Sequence, residues 1–222
     1  MKVFQQDADL NNARIEFLQS IKILGVTLDK DLSYKGHISD QLKKAYAKAS
    51  ALRRIRRFLP LDPMIKFYKA FILPHLEYCS PLFVGIGKGQ PNRLEDGNSS
   101  ILRTLIGHNK SMSYDELLTT ASMKSLYCRP LHQALILVFK CLNGTGPTYI
   151  GSLFKYRHTP YRLRGEGLNM EPPNFSLKFK KNSFTYSLAK LWNSLPPQVR
   201  LSRDANDFRS KLHDCSFLER VL

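Results

Sequence analysis

Acidic residues are scarce in this chain, and their scarcity is its strongest global feature. The 222 residues contain 18 acidic and 34 basic side chains, which gives a formal net charge of +16 at pH 7. Such an excess favours polyanionic partners, with nucleic acid first and an anionic membrane surface second. A basic protein without such a partner is the alternative, because net charge alone specifies partners only loosely.

Cysteine pairs and long apolar runs are also missing. The four cysteines lie far apart without a Cys-x-x-Cys pair, and the six histidines complete no zinc-ligand spacing. Apolar runs such as 135–139 are far too short to cross a bilayer, and the first twelve residues lack the apolar region of a signal peptide. We therefore expect a reduced intracellular protein, nuclear or cytoplasmic, not secreted and without a membrane partner.

Patterns typical of catalysis or metal binding are weak. Asp7 with Asp9 and Asp29 with Asp31 lack a third carboxylate or a supporting histidine, so we interpret them as loop acids, with a turn role for the second pair. His37 and His75 stand alone, without a Ser or Cys partner that would suggest nucleophilic catalysis. We predict no catalytic residue, no metal site and no small-molecule substrate.

Two short strands are predicted at 14–28. Residues 21–28 are almost all apolar, which suits a strand buried on both faces. Gly25 in the middle of this run suggests the close approach of another backbone.

After residue 36 the pattern becomes helical. Pro60 should end the first helix, Asp62 and Pro63 have the N-cap and first-turn chemistry of the next, and Pro74 should end or kink it. The apolar stripe of the first helix consists of Ile38, Leu42, Ala45, Ala49, Leu52 and Leu59.

A Gly- and Pro-rich stretch at 81–97 predicts a loop. Further helices are then predicted with recognisable ends. In chain order, they are a short helix ending at Gly107, one capped by Ser113 and Glu116, one at about 131–142 with Gly144 just past its end, one starting at Phe184, and one capped by Asp204.

Five phrases in fixed order carry a resemblance. They are IKILGVTLD at 21–29 followed by Leu32 and His37, LEYCSP at 76–81, FKCLNG at 139–144 with PTY at 147–149, YRLRG at 161–165, and SF at 183–184 through KLWNSLP at 190–196. Together they resemble the region after the polymerase active site in reverse transcriptases of LINE-type (non-LTR) retrotransposons, jockey-like elements among them. The Gly97-Asn98 pair departs from the family, which has a continuous helix there.

The resemblance implies a C-terminal fragment of an RNA-directed DNA polymerase. Polymerases of this family use three metal-binding carboxylates, two of them in an Ala-Asp-Asp turn, and the bound ions activate the primer hydroxyl. The 222 residues contain no Asp-Asp pair. We therefore expect no catalysis and no cofactor in this chain, with Mg²⁺ needed only by the catalytic palm that it lacks.

Together the patterns and the resemblance predict a mainly α fold with a small N-terminal β-hairpin, in which a helical thumb-like bundle is followed by a second helical region. We expect three parts. They are a hairpin resembling the palm edge and primer grip at 1–33, a thumb-like region at 34–110, and a C-terminal helical region at 111–222 with a flexible basic connector at 144–181.

Leu24, Gly25 and Val26 resemble the primer grip, and an ordinary hairpin with a core-packing glycine is the alternative. The resemblance assigns the first helix to the thumb, which tracks the template–primer duplex. The basic residues of the first helix would contact phosphates without reading the base sequence. The alternative is a basic face that contacts only solvent. The basic residues of this helix are Lys43, Lys44, Lys48, Arg53, Arg54 and Arg57.

A second basic segment lies in the connector, where aromatics alternate with cations as in single-strand binding sites. The cations proposed for binding are Arg162, Arg164, Lys180 and Lys181. The alternative is that these aromatics tie a loop to the core. Trp192 is expected in the core because of its helical spacing with Leu188.

The leading hypothesis is a non-catalytic polymerase remnant that binds RNA, DNA or their hybrid without sequence preference, and that would partner the missing fingers–palm portion. A protein-interaction module retained by a host is the second hypothesis. A decayed open reading frame is the third, and it predicts an exposed apolar stripe on the 38–59 helix.

Overall fold

The computed structural model describes residues 8–10, 13–15, 18–86, 89–106, 112–157, 168–173 and 183–213. These residues are mostly helical, with short antiparallel hairpins near the N-terminus, as predicted. No helix among them is long and apolar enough to cross a membrane.

The elements follow one another with short connections. The strands are β1 (Ala8–Leu10), β2 (Ala13–Ile15), β3 (Ser20–Ile23) and β4 (Val26–Asp29). The helices are α1 (Lys35–Ile55), α2 (Leu61–Phe67), α3 (Leu73–Leu76), α4 (Gly89–Ile106), α5 (Tyr114–Thr120), α6 (Cys128–Leu142), α7 (Thr148–Gly151), α8 (Phe184–Ser194), α9 (Pro197–Arg200) and α10 (Ala205–His213). Two 3-10 turns (Arg56–Phe58 and Ser80–Phe83) and one π-helical turn (Tyr68–Ile72) join them.

The prediction of one doubly buried strand at 21–28 is wrong. This run is itself a hairpin, in which β3 pairs with β4 across the turn Leu24-Gly25. Both turn residues have positive φ, 47° and 82°, as in the tight turns that match the twist of paired strands. Every residue of β3 is exposed, so none of the described residues covers either face of this strand. The group close to Gly25 is a side chain, that of Tyr78, rather than another backbone.

The stripe on α1 is the centre of the first core. Ile38, Leu42, Ala45, Ala49 and Leu52 are all buried there. They pack against the π-helical turn, α3 and α4, and α5 closes the same core further along the chain. The first core therefore extends to Leu126, and it covers the stripe entirely with this chain's own helices.

Proline shapes both ends of the α2–α3 segment. The helix begins one residue before Asp62, with Pro60 in the N-cap position and no side-chain cap, so the predicted capping role of Asp62 is wrong. Pro74 lies in the first turn of α3, directly after the π-helical turn. Because proline donates no hydrogen bond and its ring crowds the preceding turn, the helix widens there instead of stopping.

The predicted loop at 81–97 is wrong from Gly89 onward, because α4 runs without interruption through Gly97 and Asn98. At Gly97, α4 lies so close to α1 that an added Cβ would come within 2.4 Å of Leu42 Cδ2 and 3.2 Å of Tyr46 Oη. The glycine that suggested a loop lets Leu42 and Tyr46 pack closely against α4, which offsets its low helix propensity of about 1 kcal/mol relative to alanine.

Asn98 begins a polar chain inside the first core. Its Oδ1 accepts from Tyr68 Oη at 2.5 Å, and its Nδ2 donates to Tyr114 Oη at 2.8 Å. Tyr114 Oη donates to Glu95, whose Oε1 accepts from the backbone N–H of Tyr127 at 2.7 Å. Burial raises the pKa of Glu95 despite these hydrogen bonds. These hydrogen bonds satisfy polar groups that would otherwise be costly to bury, and they connect α4 to Tyr127, the residue preceding α6.

The second core joins α6, α8, α9 and α10. Trp192 and Phe208 stack at 5.9 Å between ring centroids, and Phe208 stacks on Phe139 at 4.4 Å. Trp192 is 2% exposed, and its Nε1 donates to the carbonyl of Leu168 at 2.9 Å. The prediction that Trp192 belongs to the core is confirmed.

Parts of the expected connector are ordered by this core. The helix α7 begins after Pro147, and Tyr156 forms an antiparallel bridge with Met170. The amide of Asn193 accepts from the backbone N–H of Met170 at 2.7 Å and donates to its carbonyl at 2.8 Å. Residues 168–170 are therefore clamped to α8 through their backbone.

Several local predictions are confirmed. Ser113 and Glu116 form a reciprocal capping box, and Gly144 follows α6 with φ 70°. Asp204 Oδ1 accepts from the backbone N–H groups of Asn206 and Asp207 in the first turn of α10. An ion pair between Glu77 and Arg129 links the end of α3 to the start of α6, alongside the Glu95 contact to Tyr127.

Replacing Gly97 by alanine should destabilise the protein. The added methyl group must displace Leu42 from a packed core, which costs about 1–3 kcal/mol and exceeds the helix-propensity gain. Gly89→Ala in the same helix is the matched control, because nothing lies within 4 Å of a Cβ there. The measurement is urea unfolding of both variants. Equal stabilities would contradict the close approach of α4 to α1.

The stability of the protein should depend on the ionisation of Glu95. Because its pKa in the folded state is raised above the usual 4.5, its contribution is complete below pH 4.5 and is lost as the pH rises through the folded-state pKa. The difference in unfolding free energy between wild type and Glu95→Gln should therefore fall as the pH rises above 4.5. Urea unfolding over a pH series measures it, and a constant difference would refute the assignment.

Candidate nucleic-acid interface

Five of the predicted basic residues lie on the solvent side of α1, and Arg57, predicted on the same helix, lies in the 3-10 turn that follows it. At about 100° per residue, Lys43 and Arg54 lie in the middle of this side. Arg53 follows the Leu42–Tyr46 row that borders α4, so the cations cover the whole exposed arc rather than one row. All six residues, Lys43, Lys44, Lys48, Arg53, Arg54 and Arg57, are exposed.

No acidic residue interrupts this surface. Residues 41–61 contain seven basic and no acidic side chains. Lys43 forms an exposed pair with Asp40 at 3.7 Å, which precedes the segment and contributes little energy in water. Arg53 and Arg54 lie in the last turn of α1, where cations also interact favourably with the helix dipole. The arrangement produces a positive potential along about 20 Å of the helix and the turn that follows it.

The positive charge of α1 contributes to the pKa values of two histidines. Burial lowers the pKa of His75, and the charges of Lys44 and Lys48 lower it further. Burial likewise lowers the pKa of His37, with a smaller contribution from Lys44. Lys44 and Lys48 therefore lie on the side of α1 that faces α3, where His75 is located.

The residues of the first two sequence phrases meet in space. Tyr78 Oη donates to the carbonyl of Leu24 at 2.7 Å, and the Tyr78 ring lies next to Gly25. His37 is buried 6.0 Å from the Tyr78 ring centroid and 5.9 Å from that of Phe83. The sequence analysis did not predict the contacts of Tyr78 and His37. The signal for them is that both residues occur in the phrases that carry the resemblance.

This contact fixes the hairpin turn on the helical region. Val26 is buried, whereas Leu24 is 89% exposed at the tip of the turn. Thus Leu24, Gly25 and Val26, which resemble a primer grip, do not form a single surface. Their assignment as a grip remains a prediction.

Asp29 and Asp31 have the predicted turn role. Asp29 accepts from the backbone N–H groups of Asp31 and Ser33 at 3.1 Å and 2.9 Å, and from the Ser33 hydroxyl at 3.0 Å. Burial opposes ionisation of Asp29, but the hydrogen bonds outweigh it and lower its pKa. Within the described ranges, no group of three or more His, Cys, Asp or Glu residues is arranged to hold a metal ion.

Most of the second basic segment lies outside the described residues. Arg162, Arg164, Lys180 and Lys181 lie outside the described residues. Tyr156, one of the aromatics of this segment, is held by its bridge to Met170 and remains 39% exposed.

Comparison with known proteins shows a distant similarity to a polymerase. The chain is similar to the RNA-directed DNA polymerase from mobile element jockey of Drosophila funebris, with 26% identity over 101 residues. The match covers 44% of this chain and 11% of that polymerase. No protein-family model and no solved structure matches the chain. The similarity supports a distant relation to reverse transcriptases.

The pKa of His75 should report the charge of α1. Lys44→Gln with Lys48→Gln should raise it toward 6.5, because removing two nearby positive charges favours the protonated ring. Arg53→Gln, on the other side of α1, is the control and should leave it unchanged. NMR titration of the His75 ring protons gives the value, and no shift in the double variant would show that these lysines lie elsewhere.

Proposed function

We propose that this chain is a non-catalytic remnant of the C-terminal part of a non-LTR retrotransposon reverse transcriptase, and that it binds the backbone of RNA, DNA or their hybrid without sequence preference. The basic solvent side of α1 carries the proposal. Phosphates lie along a duplex at regular spacing, and a helix with lysine and arginine over its exposed arc can neutralise several of them.

The packing of α1 supports this role. The apolar stripe from Ile38 to Leu52 is occupied by the first core, so the basic side chains lie on the solvent side. A helix fixed along its length presents its cations at nearly constant positions, which lowers the ordering cost of binding. The distant similarity to the jockey polymerase agrees with such an origin.

Catalysis is not part of the proposal. The 222 residues contain no Asp-Asp pair, and we assign no cofactor to them. In a complete polymerase of this kind, Mg²⁺ would belong to the palm, and the fingers–palm portion is the protein partner that we propose for this chain.

One observation favours a second candidate, the protein-interaction module. The outer side of the β3–β4 hairpin exposes Leu18, Ile21, Ile23 and Leu24, an apolar set that a protein partner could cover. The hypothesis of a decayed open reading frame predicts an exposed apolar stripe on the first helix. From Ile38 to Leu52 this stripe is instead buried.

Duplex binding should weaken steeply as salt rises. Replacing Arg53, Arg54 and Arg57 by glutamine should reduce the slope of log affinity against log salt by up to about 2.7, since each phosphate contact contributes about 0.7–0.9. Filter binding with duplex and RNA–DNA hybrid over a salt series measures the slope.

An equal-charge control separates local contact from net charge. Lys190, Arg203 and Arg209 are exposed on α8, before α10 and on α10. Their replacement by glutamine removes the same charge from the surface around the second core. It should change the slope of log affinity against log salt little. Weak binding that is insensitive to salt, or equal effects of both triple variants, would refute α1 as the interface.

A further inference from the structure

An exposed aromatic ring stands among the arginines at the corner between α1 and α2. Phe58 is 70% exposed at the end of the 3-10 turn that follows α1. The guanidinium carbon of Arg57 lies 4.7 Å from the centroid of its ring. Core packing does not explain a phenylalanine that is mostly in water and has a cation over one face.

The corner holds this ring on a fixed backbone. Leu59, the next residue, packs against the first core. Its N–H donates to the carbonyl of Arg56 at 3.2 Å, and the carbonyl of Pro60 accepts from Met64 at 3.2 Å in the first turn of α2. Since the flanking residues are anchored, a ligand that binds at Phe58 would restrict few additional rotatable bonds, and the entropy cost of binding would be small.

Charge selects the occupant of this site. Arg53 and Arg54 lie in the last turn of α1 and Arg57 in the 3-10 turn before Phe58, and no acidic residue lies between 41 and 61. A second copy of this chain would bring the same positive charge, which opposes docking there. A polyanion that also offers flat apolar faces matches both the arginines and the ring, and nucleic acid has this chemistry.

Resting on the proposed function, we infer that Phe58, backed by Arg57, stacks on an unpaired base where a single strand leaves the duplex bound along α1. Bases inside a duplex have both faces covered by their neighbours, whereas an unpaired base has a free face for the ring. The ligand class is therefore a junction between duplex and single strand, of RNA or DNA.

The test compares two substrates of equal charge. One is a duplex with a short single-stranded overhang, and the other has the same overhang without bases. Fluorescence anisotropy at fixed salt should show wild type binding the base-bearing substrate about tenfold more tightly, as expected for one base–aromatic stack. Phe58→Ala should reduce this ratio to nearly one, and Phe58→Trp should restore it.

Tyr149→Ala is the matched control, because Tyr149 is an equally exposed aromatic residue, at 72%, on α7. It should keep the wild-type ratio. Phe58→Ala is expected to fold, since its ring contributes little to the core, and circular dichroism melting verifies this.

The outcomes separate the two proposals. Absent or salt-insensitive binding of the abasic substrate would refute the proposed function and the stacking with it. Salt-sensitive binding with equal affinity for both substrates would leave the proposed function standing and overturn the stacking. A ratio kept in Phe58→Ala would also overturn it. So would an absent base preference accompanied by loss of self-association in Phe58→Ala, since Phe58 would then be a contact between copies.

Discussion

The close approach of α4 to α1 at Gly97 is the contact on which the first half of the molecule depends. Without a side chain at this position, Leu42 and Tyr46 can lie directly against the backbone of α4. This seals one edge of the α1 stripe, while the π-helical turn and α3 seal the other. Because the apolar side of α1 is closed in this way, the charged groups that it exposes from residue 41 onward are all basic.

The polar contacts then join the two cores. Glu95 reaches the residue before α6 from the first core, and Glu77 pairs with Arg129 at the start of α6. Both carboxylates sit where the chain passes from one core to the other. A covalent connection alone would leave the two cores free to separate, whereas these buried or half-buried contacts resist it. The surface of α1 is therefore carried by a body larger than its own helical bundle.

Features that depend on neighbouring residues could be predicted from the sequence. The capping box at Ser113, the glycine after α6 and the cap at Asp204 follow from local hydrogen-bond chemistry. The basic arc of α1 followed from helical periodicity, although its binding role remains a proposal. Gly97 and Glu95 could not be predicted in the same way, because their environments are created by residues distant in the chain. Local propensity is misleading when a glycine is required by helix packing.

The hairpin errors have a related cause. An apolar run of eight residues does not reveal that its centre is a turn, and only the positive φ of Leu24 and Gly25 shows it. The resemblance placed Gly25 and His37 in one phrase and Tyr78 in another, and only the structure shows that Tyr78 lies next to both. Phe58 belonged to no phrase, and its significance depends on the exposure and the neighbouring guanidinium that the structure shows.

The hairpin also bears on how this chain behaves at high concentration. Within the described part of the sheet, β3 pairs on one side only, so its other edge offers unpaired backbone groups flanked by Ile21 and Ile23. Such edges promote strand-to-strand aggregation, and a charged residue in the strand opposes it. Lys22, between the two isoleucines, is the charge in that position. Acetylation of this lysine would remove the electrostatic barrier and leave a bare apolar edge able to pair with another molecule.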